Sequence, residues 1–225
     1  MRIIKNQQKT LTSVLGLPSI VVLAMLMSLT GCSVVGIHGV EEARYKVIKD
    51  QDQFQVRDYK ALVVAETIVD AGFEDAGKIA FKRLFGYISG ANRATTEIAM
   101  TAPVMAIREH RFSGKKIAMT APVTGEKSAG GWRYSFVLPE GYTLETAPVP
   151  SNSEVKLVMV PARKAAVVGY SGFLSEVSYE KHLELLRSWM REQQLEADSP
   201  PRLAGYDPPW TPGPWRRNEV LIRLK

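Results

Sequence analysis

Gly72-Phe-Glu-Asp-Ala-Gly-Lys78 has the GxxxxGK spacing of a phosphate-cradling loop and stands between a strand-like pattern and a helical one. Its chemistry is incomplete. Ile79 occupies the place of the hydroxyl that would hold magnesium, and Glu74 and Asp75 bring negative charge to where phosphates would lie. Those two acids fit a helix start better, because carboxylates are favoured near the positive end of the helix dipole. His38, His110 and His182 are scattered, with no HExxH string, no cysteine pair and no GxSxG elbow, so neither a dedicated metal site nor a serine hydrolase is indicated. His182 precedes Leu185, Leu186 and Trp189 by three, four and seven residues on a predicted helix. An imidazole so placed has two uses, axial ligation of an iron centre or packing at a helix edge. Met100 and Met119 are weaker ligand candidates, whose ordinary role is core filling.

Both methionines belong to a repeated word, IAMTAPV, at residues 98–104 and 117–123. Each copy predicts a short strand that ends where proline removes a ladder donor, with isoleucine and methionine on one side and the threonine hydroxyl free to satisfy a backbone group. Neither copy holds a nucleophile with a base.

The elements that must position these residues follow from periodicity. Tyr45-Lys-Val-Ile-Lys and Phe54-Gln-Val-Arg-Asp-Tyr59, separated by the polar Asp50-Gln-Asp-Gln, predict a hairpin. A richer strand over residues 61–69 is followed by Phe73, Ala76, Ala80, Leu84 and Ile88 at helical spacing. The unit recurs. Lys60-Ala-Leu-Val-Val64 is echoed by Lys164-Ala-Ala-Val-Val168, and Tyr179, Leu183, Leu186 and Met190 mark a second amphipathic helix ending before Ser199-Pro-Pro201. Strand-like text over residues 132–138, 155–160 and 218–224 completes an α+β domain of two related halves, each with a helix on antiparallel strands.

The chain's start reads as an export signal. Arg2, Lys5 and Lys9 precede an uncharged apolar run over residues 14–29, too short for a comfortable spanning helix, and Leu29-Thr-Gly-Cys32 resembles the bacterial lipobox. On this reading residues 1–31 are a lipoprotein signal peptide, Cys32 is the lipidated first residue, residues 32–44 are a tether and residues 45–225 form the domain. Cys32 is the single cysteine, so no disulfide forms within the chain. Such a protein is expected at the outer membrane, facing the periplasm. Removing the signal takes three positive charges and lowers the formal net charge from +6 to +3, and no Lys/Arg run is dense enough to argue for nucleic acid.

Several strings together resemble the SOUL heme-binding proteins. They are Lys116-Ile-Ala-Met-Thr-Ala-Pro-Val123, Phe54-Gln-Val-Arg-Asp-Tyr59, Leu84-Phe-Gly-Tyr-Ile-Ser-Gly-Ala-Asn92, Gly205-Tyr-Asp-Pro-Pro-Trp210 and Arg216-Arg-Asn-Glu-Val220, in order across residues 45–225. The resemblance implies a distorted antiparallel β-barrel flanked by two helices and built from two pseudo-repeated halves, a fold similar also to effector-binding domains related to gyrase inhibitor. It implies reversible, non-covalent binding of heme or another tetrapyrrole in an apolar groove, without catalysis. Carried over by residue, Phe81 and Phe85 would lie against the porphyrin face and Lys78 would pair with a propionate. Gly86 stands where some relatives carry a second cation, and no histidine in residues 45–67 matches the ligand proposed for one branch. Read without the resemblance, Phe81 and Phe85 bury the helix against the sheet and Lys78 is surface charge. Two other function classes stay open: a small-molecule hydrolase with Glu97 or Glu219 activating water in a polar cleft, and an envelope interaction module marked by an exposed apolar patch.

Overall fold

The computed structural model describes residues 40–93 and 114–225. Cys32 and the rest of the expected leader, His38, Glu97, the first IAMTAPV copy and His110 lie outside the described residues.

In chain order the elements are β1 (Glu41–Glu42), β2 (Tyr45–Gln51), β3 (Phe54–Tyr59), β4 (Leu62–Val69), α1 (Phe73–Ile88), β5 (Asn92–Arg93), β6 (Thr120–Ala121), β7 (Val123–Ser128), β8 (Gly131–Val137), β9 (Val149–Pro150), β10 (Lys156–Val160), β11 (Arg163–Ser171), α2 (Glu176–Glu192), β12 (Arg202–Gly205) and β13 (Arg217–Arg223). Nine strands form one antiparallel sheet in the order β10-β4-β8-β7-β12-β13-β11-β3-β2. Its edge strands β10 and β2 do not pair with each other, so the expected distorted barrel is a curled half-barrel.

The predicted duplication is visible in that order. β4-α1-β7-β8 and β11-α2-β12-β13 are both strand, helix, strand, strand, and they meet at the β7–β12 pair in the middle of the sheet. β10 flanks β4 as β3 flanks β11.

Strict alternation sends one set of side chains to each face. Val63, Ala65 and Val69 of β4, Trp132, Tyr134 and Phe136 of β8, Ala166 and Val168 of β11, and Val220 and Ile222 of β13 join one core with both helices. α1 contributes Ala76, Ala80, Leu84 and Tyr87, and α2 contributes Tyr179, Leu183, Leu186 and Met190, the three- and four-residue spacings of an amphipathic helix. Small residues let α1 come close. A Cβ on Gly77 would lie 3.3 Å from the Tyr134 hydroxyl.

The helix ends have identifiable causes. Glu74 and Asp75 occupy the first turn of α1, and Gly90, at φ 112°, takes the chain out of it. The Asn92 amide donates to the Tyr87 carbonyl at 2.7 Å, satisfying an acceptor of the last turn. α2 starts at Ser175, whose hydroxyl accepts from the Ser178 N–H at 3.2 Å. The second IAMTAPV copy is strand only at Thr120–Ala121, shorter than its sequence predicts, but its side chains are placed as expected: Ile117 and Met119 pack into the core, the Thr120 hydroxyl donates to the Val137 carbonyl, and the strand breaks at Pro122 before resuming as β7.

Candidate functional site

The solvent-exposed surface of α1 holds three of the residues singled out in the sequence. Phe81 and Phe85, one helical turn apart, stack on each other with ring centroids 5.6 Å apart and planes 11° from parallel. They are 39% and 49% exposed, so neither is the simple core residue that amphipathic packing alone would make it. Phe81 also meets the buried Phe136 of β8 edge-on at 5.6 Å, which fixes the pair on the fold. Lys78 is exposed and pairs with Asp75 at 3.4 Å, a contact of little energetic weight in water. Lys82, also exposed, stands one turn beyond Lys78 and adds a second cation to this helix face. Its spacing was available in the sequence.

His182 lies on the other helix. Its ring stacks on Tyr170 at 3.8 Å with planes 7° from parallel, and its Nδ1 is 2.7 Å from the Ser178 carbonyl, which makes Nδ1 the donor. Among the described residues no contact joins it to Phe81 or Phe85. Nor do any three His, Cys, Asp or Glu residues gather at metal-binding distance among the described residues.

The opposite, concave face of the sheet is polar. Glu219 is 2% exposed and accepts from Arg57 Nη1 and Nη2 at 2.8 and 3.0 Å, from the Tyr206 hydroxyl at 2.7 Å and from Arg217 Nε at 3.2 Å. Burial alone would lower the pKa of Arg57, yet the bonds and charge of Glu219 raise it above its ordinary value; Arg217 is raised likewise, against burial, by Tyr206 and Glu219. Burial pushes the Tyr206 phenol well up. A carboxylate whose oxygens are shared by two guanidiniums and a phenol is a structural anion. It has no free lone pair directed at a water. Glu126, with a buried carboxylate, is held the same way by Arg133 at 2.7 Å and Arg202 at 2.5 Å. This second cluster was not anticipated. Part of its signal was the alternation within Gly131–Val137, which turns Arg133 away from Trp132 and Tyr134; that Glu126 lies opposite Arg133 on the same side of the sheet follows only from the β7–β8 register.

A cleft of about 270 Å³ opens beside these clusters, walled by Leu62 and Val64 of β4, Val158 and Val160 of β10, and Tyr59 and Arg163.

Two helices on one face of a curled antiparallel sheet, with a cleft on the other, define the architecture. Residues 40–223 match the family model described as SOUL heme-binding protein. The chain belongs to that family. It is 26% identical over 187 residues to heme-binding protein 1 of Xenopus tropicalis and equally to that of Xenopus laevis, covering 81% of this chain and 91% of theirs. Among solved structures, the C-terminal domain of EcmrR superposes with a TM-score of 0.51 at 12% identity, covering 80% of this chain and 98% of that one. A hydrolase from Listeria innocua gives 0.50 at 13% identity, covering 79% and 94%. These two likenesses are of fold.

Proposed function

We propose that the protein binds heme or a related tetrapyrrole reversibly and without covalent attachment on the outer face of α1. The observation that carries this reading is the Phe81–Phe85 pair, stacked, half-exposed and anchored on Phe136. Its flat apolar surface suits a planar macrocycle, and the neighbouring Lys78 and Lys82 ammoniums suit propionates. The family membership and the amphibian relatives named for heme binding support the ligand class. Affinity on this reading comes from apolar burial, with His182 outside the site.

The sequence supports a place for the activity as well. The apolar run and Leu29-Thr-Gly-Cys32 favour a lipid anchor on Cys32 and a periplasm-facing domain, and no helix among the described residues is long and apolar enough to cross a membrane.

Titrating the purified chain with hemin tests the ligand. A shifted Soret band and quenched tryptophan fluorescence at micromolar hemin are expected, and both should weaken by about tenfold in affinity, the equivalent of ~1.4 kcal/mol, in Phe81→Ala. An unchanged Soret band at that concentration would sink the reading.

A further inference from the structure

Arg163 is a cation without a counter-ion among the described residues. It opens β11 opposite Tyr59, with its guanidinium 5.2 Å from that ring, and its one hydrogen bond is a long 3.5 Å contact from Nη1 to the Pro161 carbonyl. Its neighbours on the concave face are all matched. Arg133 and Arg202 share Glu126, Arg133 also approaches Glu66 at 3.7 Å, and Arg223 pairs with Asp198 at 2.8 Å. Among the described residues four guanidiniums thus meet three carboxylates; all four line the cleft together with Glu66, and Arg163 is the one among them with no acid of its own. Burial, followed by repulsion from Arg202 and Arg223, lowers the pKa of Arg163. The fold therefore holds this cation at a cost in stability, next to an apolar strip of Leu62, Val64 and Val158 in a cleft whose remaining wall is polar and net positive.

We propose that the concave cleft is a second ligand site, separate from the α1 face, which takes a small anionic amphiphile: one carboxylate- or phosphate-sized head on Arg163 and an apolar body along Leu62, Val64 and Val158. The planar guanidinium matches such a head with two parallel N–H donors, and desolvation by the apolar strip strengthens the pairing. Size sets an upper limit. At about 270 Å³ the cleft lies just below the range of drug-sized pockets, a size that suits a medium-chain tail better than a tetrapyrrole. Sign sets the class, because an unmatched positive charge repels a cationic amphiphile of the same length.

Calorimetric titration of the full chain with decanoate, decyl phosphate and decyltrimethylammonium tests this. One or both anions should bind and the ammonium should not, and whichever anion binds more tightly identifies the head. Arg163→Gln should weaken anion binding by about tenfold or more while leaving thermal stability equal or raised, a combination that a merely structural arginine would not give. Val158→Trp, on the edge strand β10, fills the cleft while keeping every charge, and it should abolish anion binding. The proposal is overturned if no anion binds, if the ammonium binds as well as the anions, or if either folded variant binds like the wild type.

Discussion

Helices α1 and α2 occupy equivalent places in their halves of the sheet, yet they present different surfaces to the outside. Beneath, each seats a fully buried leucine, Leu84 or Leu186, on the strand that precedes it and on its neighbours. Outside, α1 carries the stacked Phe81–Phe85 pair, while α2 carries the Glu184–Arg187 ion pair and meets Lys127 of β7 through Glu176 and Glu180. Duplication of a strand–helix–strand–strand unit explains what is alike. The difference shows that the packing constraint covers only the inner stripe of each helix, which leaves the outer stripe free to carry an exposed aromatic pair on one copy and charged pairs on the other.

The largest effect expected lies under neither helix. Glu219→Ala strands Arg57 and Arg217 on the concave face and should cost ~3–5 kcal/mol in urea unfolding, the range for breaking a buried pair. A smaller loss is expected from Glu126→Ala, whose arginine partners are about a third exposed. Leu84→Ala and Leu186→Ala should each cost ~2–5 kcal/mol, and by similar amounts if the two interiors are equivalent. A large inequality between them would break the comparison beneath the helices.

Alkaline pH tests the same equivalence. Burial pushes Tyr134, under α1, and Tyr179, on α2, up to about 12 from an ordinary 10.0. Their unfolded forms lose protons first, so this contribution to stability is intact below pH 10 and disappears as pH rises toward 12. Tyrosine absorbance should show both rings ionising only with unfolding. Ionisation of one alone in the folded protein would show that one half opens by itself.

Ligand binding sharpens the outer contrast. Phe85→Ala should weaken hemin binding by about tenfold, with little loss of stability because the ring is half-exposed. Truncating the exposed apolar residue of α2, Leu185→Ala, should leave hemin binding unchanged. The smallest effect belongs to His182→Ala, expected to change hemin affinity by less than about threefold, since its ring is engaged by Tyr170 and Ser178 away from α1.

Much of this architecture was legible because strand and helix periodicities are local. The hairpin β2–β3, the strands β4, β8, β10, β11 and β13, and both helices lie within a residue or a few of where apolar spacing puts them. The middle of the sheet was less visible. β7 and β12 read as Val-Thr-Gly-Glu-Lys-Ser and Arg-Leu-Ala-Gly, short strings with little apolar alternation, and they hold their places by pairing with β8 and β13 across the seam of the two halves. Of the residues in the proposed site, Phe81 and Phe85 come from the resemblance, and Lys82 joins them only once its exposure beside Lys78 is seen, although helical spacing offered it.

The sequence by itself determined which residues share a face, because alternation puts Phe54 and Val56 on one side of their strand and Gln55 and Arg57 on the other, and sets Val220 and Ile222 opposite Glu219, before any folding. It also carried the family, through strings spread along the chain. Only the tertiary structure decided what those faces do. It brought Arg57 to Glu219 across 162 positions, which turned a suspected base into a saturated structural anion. It left Phe81 and Phe85 half-exposed on a helix whose other face is full, and it left Arg163 without an acid beside an apolar wall. Exposure and charge matching are sums over neighbours distant in sequence, and no local pattern contains those sums.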